Sequence, residues 1–285
     1  MNASRTRRSR APFPARSRRR PSASGNASPW SRPRSCGSSA NVTQDHDPAS
    51  PEAPPARQGL LGGGIAVLWS EAWPVVVLTA ILGLVFLGQE VGRALGQEQA
   101  ILVLGSLFRP GLEAGIWWTP VTHIFLHGSW LHLIMNCGAL IALGPGVAQR
   151  LGRDALGGLL FLGFFLVCGL AGAVAFLGLH GQDPVPMLGA SGAICGLWGA
   201  SARLTGPGRA ELAPILSRPV AKQAGSFIMM NLVIVALGAT FGLVSGAGVI
   251  GIAWEAHLGG FLAGLLLISV LPVRFWWLKV QPPQG

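Results

Sequence analysis

Charge is what this sequence has least of. Asp, Glu, Lys and Arg make up 11% of its 285 residues, against about 25% in a soluble domain. So thin a supply excludes an ordinary water-exposed globular surface. The four cysteines, Cys36, Cys137, Cys168 and Cys195, show no C-x-x-C spacing. That excludes a zinc site of the usual spacing and a small disulfide-stapled domain. They read as small apolar core residues. No metal-binding or nucleotide-binding motif is present, so no metal and no cofactor is expected. Basic charge is scarce too, once it is located. Residues 1–58 hold 11 Arg and no Lys against Asp45, Asp47 and Glu52, which places +8 of the chain's formal +10 in that stretch. The remaining body is nearly neutral, so no nucleic-acid partner is expected.

What the sequence has in quantity is apolar residues, 50% of the chain, and 41 glycines. Both fit packed membrane helices. The stretch 1–58 is rich in Arg, Ser and Pro and has no apolar periodicity, so it is predicted to be a disordered tail. A solvated basic tail is its plain reading. An anchor on anionic lipid and an organellar targeting segment are the alternatives. The Asn41-Val42-Thr43 sequon is expected to be idle on the inner side.

Six apolar segments follow, at about 66–88, 121–143, 156–179, 187–205, 225–244 and 249–271. Each is near the roughly 20 residues a helix needs to span a bilayer. Lipid offers no partner for free backbone groups, and the segments are far too long and unbroken for barrel strands, so they must be helices. The expected architecture is an all-α membrane protein with a six-helix domain at 59–275 and a short tail at 276–285. Placing the basic tail inside puts Arg150, Arg153, Arg209, Arg218, Lys222, Arg274 and Lys279 inside as well, as the positive-inside rule requires. Both ends are then internal. A bacterial plasma membrane is the expected location, with mitochondrial and plastid membranes as alternatives. The long connection 89–120 holds Trp117 and Trp118 and is suited to the outer interface.

Polar groups inside a span are costly, so each calls for a reason. Span two carries His123, His127, His132 and Asn136. His132 and Asn136 are four apart and share one helix face. Span four begins Gly189-Ala190-Ser191-Gly192. Span six carries Glu255 and His257, then Gly260 and Gly264. All three spans start on the outer side. Counting about 1.5 Å per residue, Ser191 and His257 fall roughly 6–12 Å below that edge. Gly192, Gly196 and Gly199 on span four and Gly260-x-x-x-Gly264 on span six form small-residue faces that let helices approach closely. Such an approach would bring the Ser191 hydroxyl to the His257 ring. A serine needs a base to take its proton before it is a useful nucleophile. No Asp or Glu is placed as a third member. Glu255 is two residues from His257, on another face, and receives no role.

These residues resemble the rhomboid family of intramembrane serine proteases. His132-Leu133-Ile134-Met135-Asn136 is similar to the family's H-x-x-x-N. Gly189-Ala190-Ser191-Gly192 is similar to its G-x-S-G. Ala256-His257-Leu258-Gly259-Gly260 with Gly264 is similar to its A-H-x-x-G-x-x-x-G. The resemblance implies that Ser191 is the nucleophile and His257 the general base. It implies an oxyanion hole of His132, Asn136 and the Ser191 backbone N–H, and supporting roles for Gly189, Gly192, Gly260, Gly264, Trp118, His123 and His127. The substrates would be transmembrane proteins, cut near the outer face through an acyl-enzyme. Span five, with few polar groups, would be the wall that moves to admit them. Two departures stand out. Thr119 replaces the Arg of the family's W-R pair, so the first loop must be held by something else. Cys195 replaces an aromatic that often packs on the catalytic His, and the chain has no Tyr at all. A less constrained His257 is the expected result. Two other readings stay open: a silent relative that binds membrane clients, and a small transporter. The apolar inner halves of the spans count against the transporter.

Overall fold

The computed structural model describes residues 64–180, 186–206, 209–245 and 252–274. The expected tails at 1–58 and 276–285, with Cys36 and the sequon, lie outside them. The described residues are mostly helical. Helix α1 runs Gly64–Ala94, α2 Glu98–Gly105, α3 Arg109–Glu113 and α4 Thr119–Thr122, followed by a 3₁₀ turn at His123–Phe125. Then come α5 Trp130–Leu151, α6 Ala155–His180 and α7 Ser191–Ser201. The two-residue strands β1 Leu204–Thr205 and β2 Glu211–Leu212 form an antiparallel ribbon. Helices α8 Arg218–Ser245 and α9 Trp254–Leu267 complete the order.

Four of these helices, α1, α5, α6 and α8, are long and apolar enough to cross a membrane. The segments expected at 187–205 and 249–271 are shorter as helices. Helix α7 has 11 residues and α9 has 14, or about 17 and 21 Å against a hydrocarbon core of about 30 Å. The reason is local. Gly189 has a φ of +124°, which ends any helical path from the preceding residues. Residues ahead of it run extended, and Met187 pairs with Leu107 through two N–H···O bonds of 2.8 Å. Ser191 is therefore the first residue of α7, not a residue about four positions into the span. Span two also begins later than expected. Ser129 caps α5 by accepting from the His132 N–H. His123 and His127 sit on the turn and loop before that cap, not on the span.

Helices α6, α7 and α9 pack backbone to backbone. A Cβ on Gly260 would collide with the carbonyl oxygen of Gly192, one on Gly264 with that of Gly196, and one on Gly199 with that of Phe261. On α6, a Cβ at Gly172 would stand 2.7 Å from the Ala256 carbonyl oxygen. Between lipid-facing helices there is no hydrophobic drive, so such close contact supplies the association through dispersion. A second core joins α1 to α5 and α6 through Val75, Leu78, Leu82, Phe161 and Phe165. Helix α1 is kinked at Ala72, ahead of Pro74, whose ring cannot continue the hydrogen-bond ladder. Helix α8 is the outlier. Among its described side chains only Val220 and Phe227 are buried.

Two buried arginines organise the other end of the bundle. Arg203 donates to the carbonyls of Ala213 at 3.0 Å and Leu265 at 3.1 Å, and to the Ser269 hydroxyl. Arg150 donates to the carbonyls of Arg209 and Ala210. Each charge therefore meets carbonyl oxygens, and Arg203 sits at the negative end of α9. Asp154, at the start of α6, accepts from the Gly157 N–H at 2.9 Å and from both terminal nitrogens of Arg274.

Two tests follow from this packing. Gly264→Ala should lower stability by about 1–3 kcal/mol, because one backbone must move away from the other. Gly138→Ala, which meets open space, should not. Thermal unfolding in detergent compares them. For Asp154, the Gly157 N–H and the Arg274 guanidinium hold the carboxyl below its ordinary value of 3.8. A depressed carboxyl stabilises the fold above the ordinary value and loses that contribution as pH falls through its own lower one. Asp154→Asn should thus be less stable than the parent at pH 7, and the gap should close as the pH falls through the carboxyl's lowered value.

Candidate active site

The cap at Ser129, the bend at Gly189 and the glycine seam together open one cavity of about 770 Å³. Its wall includes Ser191, His257, His132, Asn136 and Gly189. Ser191, His257, His132 and Asn136, drawn from three helices, share this space with His123 and Ser129, and apolar groups such as Met135 and Ile234 line much of the rest.

Ser191 begins α7, so its neighbouring backbone N–H groups have no partner within the helix. Its Oγ lies 2.8 Å from His257 Nε2. His257 is on the first turn of α9 and is 7% exposed. The pair meets because Gly192, the next residue along α7, lies against Gly260, three residues along α9 from His257. The other ring nitrogen, Nδ1, lies 2.7 Å from Asn231 Oδ1 on α8. Asn231 is the residue that sequence reasoning missed. It was visible as the sole amide or charged residue in the stretch 224–245. Nothing in that stretch alone says which way it faces.

His132 and Asn136 stand on the facing side, on α5. The Asn136 amide donates to the His132 backbone carbonyl at 2.9 Å, which leaves its second N–H uncommitted by that bond. The His132 ring lies over Gly189. A Cβ there would stand 2.7 Å from Cε1 and 2.8 Å from Nε2. Gly189 is therefore required twice, for its positive φ and for the room it leaves the ring.

His123, which also lines the cavity, and His127 bond to other partners than Ser191 and His257, and they hold the frame around that pair. The His123 carbonyl accepts the Gly189 N–H at 2.8 Å, and its Nδ1–H donates to the Thr119 carbonyl at 2.9 Å. His127 shares two bonds with Gln89 of α1. Its N–H donates to Oε1 at 3.0 Å, and its carbonyl accepts from Nε2 at 3.1 Å. The His127 ring then meets His132 edge to face, with centroids 5.1 Å apart.

Trp118 does not line the cavity. Its indole N–H donates to the Leu104 carbonyl at 2.8 Å. The Thr119 hydroxyl donates to the Ile116 carbonyl, the Thr122 hydroxyl to that of Gly105, and the Arg109 guanidinium to that of Leu177. These four bonds hold the first loop where the W-R arginine is missing. Cys195 is buried on the cavity wall and has no ring to lay on His257. That ring is instead tied by hydrogen bonds at both nitrogens, so it is more constrained than the sequence suggested. Glu255 is buried at 6% exposure. It sits in the first turn of α9, where the helix dipole favours an acid.

A model of the rhomboid domain matches residues 114–274. The chain is 31% identical to RHOMBOID-like protein 5 of Arabidopsis thaliana over 179 residues, covering 63% of this chain and 52% of that one. It is 32% identical to the putative rhomboid protease YdcA of Bacillus subtilis over 91 residues, 31% of this chain and 42% of that one. It is 31% identical to the rhomboid protease GluP of the same organism over 117 residues, 41% of this chain and 22% of that one. The chain thus spans about half or less of the length of these curated relatives.

The link between α1 and the site can be tested apart from any activity. Gln89→Leu strands a buried N–H and a buried carbonyl of His127, at about 1–3 kcal/mol for each orphaned group. Thermal unfolding should show that loss, whereas substitution of the exposed, lipid-facing Leu84 to Met should change stability little.

Proposed function

The chain belongs to the rhomboid family, and from that premise we propose that it is an active intramembrane serine endopeptidase. The observation that carries this reading is the 2.8 Å contact between Ser191 Oγ and His257 Nε2, inside a cavity of a bundle whose helices are built for lipid. It is an integral membrane protein of a family that acts on membrane proteins, so its substrates are transmembrane segments. No metal and no cofactor enters the reaction as proposed.

The site residues divide the work as follows. Ser191 Oγ attacks the scissile carbonyl while His257 Nε2 takes its proton. The oxygen that gains charge is met by the Ser191 backbone N–H, the free N-terminal end of α7, the Asn136 amide and the His132 ring. His257 returns the proton to the leaving amine, and water then releases the acyl group from Ser191. A helical substrate must unwind before its carbonyl is open to attack. Segments with small or helix-breaking residues near their outer end should therefore be favoured.

The proposed membrane domain is 59–275, with six spans and the N-terminus inside. Helices α7 and α9 would be its fourth and sixth spans. Their shortness suits the chemistry. A helix that begins below the membrane edge presents free N–H groups at depth. The extended backbone ahead of it is tolerated only because it is buried in protein and paired. Met187 and Ala190 are buried, and the two bonds with Leu107 supply the pairing. The loosely packed α8 forms the cavity wall at Met230 and Ile234, where a substrate helix would enter. The basic stretch 1–58 is proposed to lie on the inner side of a bacterial plasma membrane.

The test is cleavage of single-span proteins in liposomes by the parent, Ser191→Ala and His257→Ala. Only the parent should cut, near the substrate's outer edge, and each variant should lose at least about a thousandfold in rate. Equal inactivity of all three folded proteins on several substrates would replace this reading with the silent, client-binding one.

A further inference from the structure

The proposed chemistry needs His257 in one tautomer, with a lone pair on Nε2 facing Ser191. Something must hold the proton on Nδ1. In this chain that partner is legible from a chain of bonds. The Asn231 Nδ2 lies 2.9 Å from the Phe227 backbone carbonyl. A carbonyl can only accept, so the amide nitrogen must face it. The orientation of the Asn231 side chain is thereby decided, and Oδ1 is the atom left facing His257, 2.7 Å from Nδ1. That oxygen can only accept, so Nδ1 carries the hydrogen. Nε2 is then the bare nitrogen 2.8 Å from the Ser191 hydroxyl.

The anchor of this chain is equally specific. Gln223, Phe227 and Asn231 are spaced by four and share one face of α8. Phe227 stacks on Phe261 of α9 with centroids 4.2 Å apart at 20°. Trp198 of α7 meets Phe227 edge to face at 5.7 Å and donates its indole N–H to Gln223 Oε1. One face of an otherwise exposed helix is thus seated against the two helices that carry Ser191 and His257. Cys195, one turn along α7 from Ser191, offers no aromatic ring to do this work from the other side.

We propose that Asn231 is a positioning residue of the active site, the third member of a Ser191–His257–Asn231 chain that selects the reactive tautomer of His257. The proposal rests on the serine-protease reading of the site. It makes the base dependent on a helix that sequence reasoning treated only as a movable wall.

The experiment labels Ser191 with a small water-soluble fluorophosphonate, alongside cleavage of a transmembrane substrate, in the full-length protein in detergent. In labelling, the Ser191 Oγ–P bond forms, the P–F bond breaks, fluoride leaves and His257 takes the serine proton. Asn231→Leu keeps the bulk and removes the acceptor. It should slow labelling and kcat on the order of ten- to a hundredfold, the size of effect that an outer partner of a histidine has at metal sites. KM should change little. Asn231→Asp restores an acceptor and should recover most of the labelling rate. A residue that merely docks α8 would raise KM for the transmembrane substrate and leave labelling by the small reagent at the parent rate; that result overturns the proposal. The parent protein supplies a second reading that needs no variant and no activity. Proton NMR with ¹⁵N-histidine should show a downfield, exchange-protected Nδ1–H signal for His257, assigned by its loss in His257→Ala. Its absence overturns the proposal even if Asn231→Leu does not fold. If the parent neither cleaves nor labels, the protease reading fails, and the Nδ1–H signal still decides the role of Asn231.

Discussion

The backbones of α7 and α9 lie in direct contact, with no side chain between Gly192 and Gly260 or between Gly196 and Gly264. Most of what is distinctive in the molecule depends on that seam. In lipid, two helices gain nothing by hiding apolar side chains from each other, so the gain must come from close packing. Glycine permits it at the cost of helix propensity, a cost that burial among α6, α7 and α9 offsets. The same seam sets the distance from Ser191 to His257. Any side chain inserted between the helices would push the hydroxyl out of hydrogen-bond reach of the ring.

The polar groups around that pair are held by backbone as much as by side chains. Gly189 is fixed by the His123 carbonyl, His127 by both ends of the Gln89 amide, and the His132 backbone by the Ser129 cap. Buried polar groups in a low-dielectric bundle are costly unless they are paired. Here the pairing also orients the wall of the cavity. The arrangement explains why three histidines crowd one region without all serving the same chemistry. His123 and His127 brace the frame through their backbone bonds, His123 and His132 also line the cavity, and the His132 ring lies over Gly189.

The contrast between α7 and α8 gives the bundle its functional asymmetry. Helix α7 is buried along nearly its whole length and is rigidly seated. Helix α8 is long, mostly exposed, and attached through the face that carries Gln223, Phe227 and Asn231. Ser191 therefore sits on the fixed side of the cavity. Asn231 sits on the loosely packed side, so the Ser191–His257–Asn231 hydrogen-bond chain spans both.

Much of this was legible along the chain. Hydropathy alone requires helices in lipid, because no other element satisfies its own backbone there. The spacings His132 to Asn136 and Gly260 to Gly264 place residues on common faces, because 3.6 residues make a turn whatever surrounds them. The small residues after Ser191 and His257 announce close approach. What the linear order leaves open is where a helix starts at depth and what stands opposite it. Ser191 begins α7 because Gly189 turns against His132 and Met187 pairs with Leu107, contacts between residues 57 to 80 positions apart. His123 and His127 leave the span because Ser129 caps it and Gln89 holds the loop. Asn231 becomes the partner of His257 only through the stack of Phe227 on Phe261, which sets the rotation of α8. A lone amide in an apolar helix has no local signal for its facing. Helical periodicity is a property of the chain, whereas the choice of which face meets which neighbour belongs to the packing.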